Sequence, residues 1–465
     1  MKKTGHQTGG LEQTPAFLCG SNNLRSIYMN SFRKKYLCAV FMAAFFMFFL
    51  TNSFAENKNN TQLIQSLKAR GITEANAEIN KPRTFLVPLE QYRKMRDSLK
   101  DPRQEWEKIA CQALLESAEH AVTTGPWSVM DKPDALIGPS KDKHDFVSFS
   151  MYHWQEKDGT WSWRDGKKNP AMKSSDEDGL YALYSSARNL TWAGYFLGKR
   201  EYMERAALLL RYWFINKETA MNPNLNFAGA IPGKASGRGV GIHRMSKLPE
   251  ILDCIGLLQD AGCWTENDQR GMLKWVAEYL KWAASSELGK EERAQPNNHS
   301  VYYGFQMLAC ALYCGNAEAA AFYLNDYFMN MLKHIEPDGS APAELKRTRP
   351  ESYVFYNMDG FINYAELART VGIDLYNVKD ERGVSLEKSF EWLIPIFKGE
   401  KTFPRPKVKD RPVEVYHAFK TCRLGTLRLK NPVYEQYLRA HFPKEWKKDV
   451  QNLFWPPEYS EKALK

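Results

Sequence analysis

The stretch 294–316, "AQPNNHSVYYGFQMLACALYCGN", decides how the chain is read. From residue 300 onward nearly every side chain is apolar, aromatic or small. A helix that is apolar on all sides belongs inside a layered helical protein, not on its surface. Directly before it stand Asn297, Asn298 and His299. One Asn here can cap the helix. Two amides and an imidazole at the mouth of a core helix are costly unless something uses them. The free N–H groups and positive potential of a helix start suit a carboxylate.

Helical periodicity continues outward from this stretch in both directions. It predicts helices over 103–122, 176–198, 201–215, 246–261, 266–286, 300–314, 316–333, 359–371 and 433–441. Strand-like alternation is scarce. Gly and Pro punctuate the joints at 222–241, 336–342 and 403–412. Many helices joined by long loops predict an all-α fold of antiparallel pairs in a ring or solenoid, larger than a four-helix bundle. There is no strict sequence repeat. In such a ring, a site forms where loops and inner-helix ends converge at one mouth. With 465 residues, 43% hydrophobic and 13% aromatic, the chain supports a large core in one domain or two.

Residues 29–55, "MNSFRKKYLCAVFMAAFFMFFLTNSFA", have a basic start, an apolar middle and a small-residue end. That is the layout of a secretory signal peptide, with cleavage expected after Ala55. The apolar stretch is long, so an uncleaved anchor is the alternative. Met29 stands where the peptide should begin, which makes 1–28 an over-long start. Residues 56–81 read as a flexible linker and 82–465 as one domain. The expected location is periplasmic or secreted, with no lasting membrane association after cleavage.

The formal charge is +10, but residues 1–55 hold six basic side chains against Glu12, leaving +5 for the remainder. A mildly basic protein suits a polyanionic partner. No nucleic-acid motif of the usual kinds is present. Six cysteines follow residue 55, namely Cys111, Cys254, Cys263, Cys310, Cys314 and Cys422. Most lie in apolar helical stretches and are read as buried free thiols, without zinc-type spacing. A monomer is expected.

Three further segments gather polar groups. "ELKRTRPESYVFYN" (344–357) brings Arg347, Arg349, Tyr353 and Asn357 together. Arginine holds carboxylates with a planar fork. A free tyrosine titrates near pH ~10, and an Arg cation lowers that value, so Tyr353 is expected to exchange a proton near neutrality. "KDKHDFVSFSMYHWQEKDGTWSWRDGKKNP" (141–170) mixes Lys143, His144, Asp145, Tyr152, Trp154, Trp161 and Arg164. Aromatic faces there suit sugar rings, and a long polar–aromatic loop is usually functional. "MNPNLNFAGAIPGKASGRGVGIHR" (221–244) offers Asn224, Arg238 and His243. Its "GKASGRG" lacks phosphate-loop spacing. Tyr303, within the core helix, joins the candidate substrate contacts.

Amide, imidazole, phenol and guanidinium groups beside aromatics fit acid–base chemistry on an acidic sugar. In β-elimination the uronate carboxylate is neutralised, a base takes the C5 proton, and an acid protonates the departing O4. Donors and Arg stabilise the enolate charge. The chemistry calls for no metal and no cofactor. Two rival readings stand beside it. A glycoside hydrolase needs two carboxylates, for which Glu344, Asp359 and Asp145 are available. A non-catalytic oligosaccharide-binding protein needs none.

Five segments in order carry a resemblance: "SKDKHDFVSFSMYHW" (140–154), "MNPNLNFAGAIPG" (221–233), "GRGVGIHRMSKLPEILDCIGLL" (237–258), "NNHSVYYGFQMLACALYCGN" (297–316) and "ELKRTRPESYVFYNMDGF" (344–361). Together they resemble the alginate lyase-like polysaccharide lyases, over roughly residues 104–371. The resemblance implies an (α/α) toroid, an incomplete barrel of about five to seven helical hairpins around a cleft or tunnel. It implies metal-independent eliminative cleavage of a uronate polysaccharide, with alginate expected and glucuronan or another uronan as the alternative. It makes Asn298 the group that neutralises the carboxylate, His299 and Tyr353 the catalytic histidine and tyrosine, and Arg347 the arginine beside the tyrosine. The Arg-to-Tyr interval is one residue shorter than in the mannuronate-specific branch. Arg349 is therefore the alternative, and the spacing is closer to a gut-bacterial alginate and glucuronan branch. His243 stands where many relatives carry another residue.

Overall fold

The computed structural model describes residues 58–404 and 415–463. The expected over-long start and signal peptide lie outside them. Helices dominate. Among them are α1 (Glu105–Val122), α2 (Ser175–Leu197), α3 (Arg200–Phe214), α4 (Leu248–Asp260), α5 (Glu266–Ser285), α6 (Glu287–Arg293), α7 (Asn298–Tyr313), α8 (Pro350–Thr370), α9 (Leu386–Phe397), α10 (Val415–Leu429) and α11 (Val433–His441). Two small sheets sit among the loops. In one, β1 (Val147–Phe149) runs parallel to β4 (Phe227–Ala230). In the other, β2 (His153–Gln155) and β3 (Trp161–Trp163) form an antiparallel hairpin.

The apolar stretch behaves as its sequence demands. Every residue of α7 except His299 is buried, and the helix packs against α4, α5, α6 and α8. A helix enclosed on so many sides is an inner wall. Its neighbours pair off around it: α2 packs on α1, α3 and α4, and Gly198 at φ 69° makes the tight link between α2 and α3. Capping boxes start α1 (Gln104 with Glu107) and α5 (Thr265 with Asp268).

Three expectations are corrected. The helix expected over 359–371 begins at Pro350, because proline suits the first helical position and the first turns face the mouth with polar groups. The helix expected over 316–333 is interrupted by a π-helical turn, Tyr323–Tyr327. There Tyr327 presses on Gly304, where an added Cβ would lie 2.4 Å from its ring, and donates to the Ser300 carbonyl. The flexible linker expected over 56–81 contains a helix, Lys58–Ala69. Its Leu67 is buried, Lys68 pairs with Glu318 at 2.6 Å, and Asn60 bonds both Asp326 and Asn325. The six cysteines are free thiols, as expected.

Residues 83–92 are pinned to the ring by one buried carboxylate. Asp253 of α4 accepts the backbone N–H groups of Phe85, Leu86 and Val87 and the Tyr92 hydroxyl. Asp253→Ala strands those donors, so unfolding free energy should fall by roughly 3 kcal/mol. Denaturant unfolding measures this; a loss under about 0.5 kcal/mol would mean the segment holds by packing alone.

Candidate active site

The site assembles at the start of α7. Asn297 caps the helix, its Oδ1 accepting the His299 N–H at 2.9 Å. Asn298 turns inward. Its backbone N–H donates to Glu344 Oε1 at 2.7 Å, and its amide nitrogen lies 3.0 Å from both Glu344 oxygens. Glu344, in the short helix Pro342–Leu345, is 1% exposed. Burial raises its carboxyl above the ordinary range, against the pull of the Asn298 donors and the charges of Arg347 and His299. The Asn298 amide is thus oriented before any ligand arrives.

His299 points the other way, its side chain 24% exposed. Its Nδ1 lies 2.8 Å from Oε1 of Glu292, a fully buried residue of α6. A carboxylate acceptor there assigns the proton to Nδ1 and leaves the Nε2 lone pair free. The His243 ring, on the 3₁₀ segment Gly239–Met245, sits 4.8 Å from the His299 ring, centroid to centroid. Its Nε2 meets the Tyr356 hydroxyl at 2.6 Å. Burial holds His243 well below the ordinary histidine range, and the charges of His299, Arg244 and Lys247 add to this.

The third part joins the start of α8 to the β2–β3 hairpin. The Arg347 guanidinium lies over the Tyr353 ring, 3.7 Å from its centroid, and Nη2 donates to the phenol oxygen at 2.5 Å. Asp165, just past β3, holds the other side of the guanidinium. Its Oδ1 accepts from Nη2 at 2.7 Å, and its Oδ2 from Nε at 3.2 Å and from the Thr348 N–H at 3.0 Å. Burial opposes the charge on Asp165, but the Arg347 and Thr348 bonds outweigh it and hold the carboxyl below its ordinary range. Tyr353 moves the other way from expectation. Burial raises its phenol, Arg347 counters only in part, and Tyr152 and Asp165 push it further up. The resting tyrosine is a protonated donor.

These parts share one mouth. Glu344, which holds Asn298, lies three residues before Arg347. Tyr356, which meets His243, lies one helical turn after Tyr353. The amide, imidazole, guanidinium and phenol therefore converge from α7 and the segment leading into α8. The family model for alginate lyase matches residues 128–403, which contain all of them. The chain belongs to the alginate lyase family. Among solved structures it is similar to an alginate lyase from Bacteroides ovatus, at 29% identity and a TM-score of 0.74, covering 81% of this chain and all of that one. It is also similar to a tetrasaccharide complex of alginate lyase A1-III, at 15% identity and a TM-score of 0.51, covering 81% of this chain and 96% of that one. A1-III comes from Sphingomonas species A1. The second likeness concerns the fold alone, an (α/α) toroid as expected. No curated protein matches the chain.

The remaining candidates of this alginate lyase family member divide. The guanidinium on the Tyr353 phenol is that of Arg347, not Arg349. Arg349 lies in a rim groove with Lys401 and His441. Tyr152 stands against Tyr353. Arg238 donates to Ser150 Oγ at 3.1 Å, behind His153. Asn357 is buried, and its Oδ1 has no hydrogen-bond partner among the described residues. Trp154 and Arg164 stack on each other, 5.1 Å from guanidinium to ring, and Arg164 pairs with Glu156.

Two expectations of substrate contact, Tyr303 and Asp145, are corrected, and three further candidates have protein partners of their own. Tyr303 is 0% exposed and donates to the Ala283 carbonyl, so it is core. Asp145 is buried and accepts from Ser140, Asn222 and Asn224, which ties Asn224 to the same clasp. His144 is held by the Ala220 carbonyl, and Lys143 pairs with Asp134 at the surface.

Sequence reading missed Glu292, Asp165 and Tyr356. Glu292 lies seven residues before His299, near enough in the chain that a search for a histidine-orienting carboxylate would have found it. Asp165 is 182 residues from Arg347, and no local signal joins them.

Proposed function

We propose that the protein is a polysaccharide lyase that cleaves alginate by β-elimination at the 4-O-glycosidic bond. The observation that carries this reading is the Arg347 guanidinium lying on Tyr353 at the mouth where Asn298 and His299 begin α7. Family membership supports it, as does the solved structure of an alginate lyase from Bacteroides ovatus.

A uronate carboxylate enters beside the Asn298 amide at the start of α7, where that donor and the helix potential offset its charge. Neutralised, it acidifies its C5 proton. His299 Nε2 takes that proton, and Glu292 steadies the imidazolium that forms. Tyr353 delivers its hydroxyl proton to O4 as the bond breaks. Where the C5 proton and O4 lie on one face of the sugar, Tyr353 first gives up its proton to solvent; as phenolate beside Arg347 it takes the C5 proton and then passes that proton to O4. The raised phenol suits the donor role at neutral pH.

A raised value means that the acid form persists to higher pH. The alkaline limb of kcat/KM set by Tyr353 should therefore lie above pH ~10, the ordinary tyrosine value. A pH–rate profile falling below that point would contradict the role.

The β2–β3 hairpin supplies an aromatic wall. Trp163 is 55% exposed and stands edge-on to Tyr152, 6.4 Å between centroids, and Tyr152 touches Tyr353. Its free face suits a neighbouring sugar of the polymer. Trp163→Ala should raise KM for polymer about three- to tenfold with kcat nearly unchanged. An unchanged KM would remove Trp163 from the binding surface.

The carboxylates that a hydrolase would need are otherwise engaged. Glu344 is tied to Asn298, Asp145 to its clasp, and Asp359 to Tyr302, His417 and Lys420. We also propose that the layout of residues 29–55 exports the enzyme to the periplasm or medium, where it acts as a monomer. A substrate panel tests the reaction: poly-mannuronate, poly-guluronate, alginate, glucuronan, hyaluronan and chondroitin. Ultraviolet absorbance of the new C4–C5 double bond on alginate is expected. Growth on glucuronan alone would move the substrate. Reducing ends without absorbance would make the enzyme a hydrolase.

A further inference from the structure

We propose that His243, Glu292 and His299 form a binding site for a borderline divalent transition-metal ion, such as Zn²⁺ or Co²⁺, and that the bound ion stops the reaction. The inhibition rests on His299 acting as base; the binding does not. The three residues each offer a ligand atom, all within 4.8 Å of one another. Atoms sharing a tetrahedral Zn²⁺ lie roughly 3.4 Å apart, so the cluster needs to close by about 1.4 Å at its widest.

Two imidazoles and a carboxylate form the set that such ions prefer, whereas Mg²⁺ and Ca²⁺ prefer all-oxygen shells. Unused bonding capacity points to the same place. His243 Nδ1 and Glu292 Oε2 are both buried, and neither has a hydrogen-bond partner among the described residues. Glu292 is fully buried, and its other oxygen already faces His299. The nearby cations are matched elsewhere: Arg244 lies 3.1 Å from Glu177 and Lys247 lies 2.9 Å from Glu250. The Tyr356 hydroxyl fixes His243 from its Nε2 side, as outer-shell partners fix metal-bound imidazoles.

An ion on this cluster removes the base by either nitrogen. On Nε2 it occupies the lone pair directly. On Nδ1 it displaces the proton shared with Glu292, leaving the neutral ring protonated on Nε2, towards the cleft. The enzyme freed of metal is the active form.

The test uses the protein after chelation and desalting, without substrate. Calorimetry should give one equivalent of bound Zn²⁺ and no binding heat with Mg²⁺ or Ca²⁺. Co²⁺ should develop visible ligand-field bands. His243→Gln and Glu292→Gln should each weaken Zn²⁺ at least about tenfold. If Glu292→Gln does not fold, His243→Gln decides alone. With Zn²⁺ at ten times its dissociation constant, about a tenth of the rate should remain, and chelator should restore it. Absence of Zn²⁺ heat, or equal affinity in the variants, overturns the site. Full rate or activation with Zn²⁺ bound overturns the inhibition. Failure of the lyase reading would show separately, as no double-bond absorbance on any polymer while Zn²⁺ still binds.

Discussion

Tyr353→Phe is expected to lower kcat on the best polymer by about 10²–10⁴-fold, the usual worth of a positioned proton donor. The substitution removes one oxygen and leaves the ring beneath Arg347, so the guanidinium keeps its seat 3.7 Å from the ring centroid. Substrate binding should survive, because Asn298, the start of α7 and the hairpin aromatics are untouched. KM should therefore change far less than kcat, as for a group used in the transition state. Steady-state rates of double-bond formation measure both. Turnover near that of the parent enzyme would remove the phenol from the chemistry and leave His299 to move both protons.

Asp165→Asn should cost roughly 10²-fold in kcat, the penalty for a misplaced reacting group. Asp165 touches neither O4 nor C5. It acts through Arg347, whose guanidinium it grips with both oxygens while also accepting the Thr348 N–H. An amide cannot repeat that ionic fork, and the half-buried Arg347 would settle elsewhere. Three readouts separate positioning from general damage. KM should hold while kcat falls. Asp165→Glu should recover part of the rate. The alkaline limb should move to lower pH, because the Asp165 charge helps to keep the phenol protonated. A variant with only a lower melting temperature would make Asp165 structural.

How much of this was legible depended on where each signal lay. The α7 stretch announced a buried helix with a polar mouth, since apolar periodicity and capping residues are local. The same held for α2 to α5. Several helices escaped notice, α9 and α10 among them. α10 carries His417, Lys420, Arg423 and Arg428, which read as surface. They turn inward because Asp359, Glu435 and Glu366 meet their charges, and that pairing exists only in three dimensions. α9 contains Pro395, a helix breaker by type; it falls in the last turn, where no further turn has to form.

The site divides in the same way. Asn298, His299, Arg347 and Tyr353 were named from two short motifs, and the structure gathers them. The side chains that hold them were not all named, because Asp165 and Glu292 look like ordinary surface acids in sequence. The expected effect of Arg347 on Tyr353 had the right sign but the wrong outcome, since burial cannot be read from neighbouring letters. Tyr303 failed for the opposite reason: a polar tip on an inner helix was taken as facing the cleft, when a carbonyl of α5 already receives it.

The long reach from Asp165 to Arg347 has a consequence in time. The catalytic phenol is set only when two segments 182 residues apart have met. Contacts so distant in sequence form late, after local helices and hairpins have settled. Activity therefore reports that these two segments have met, and loosening of the hairpin would remove it.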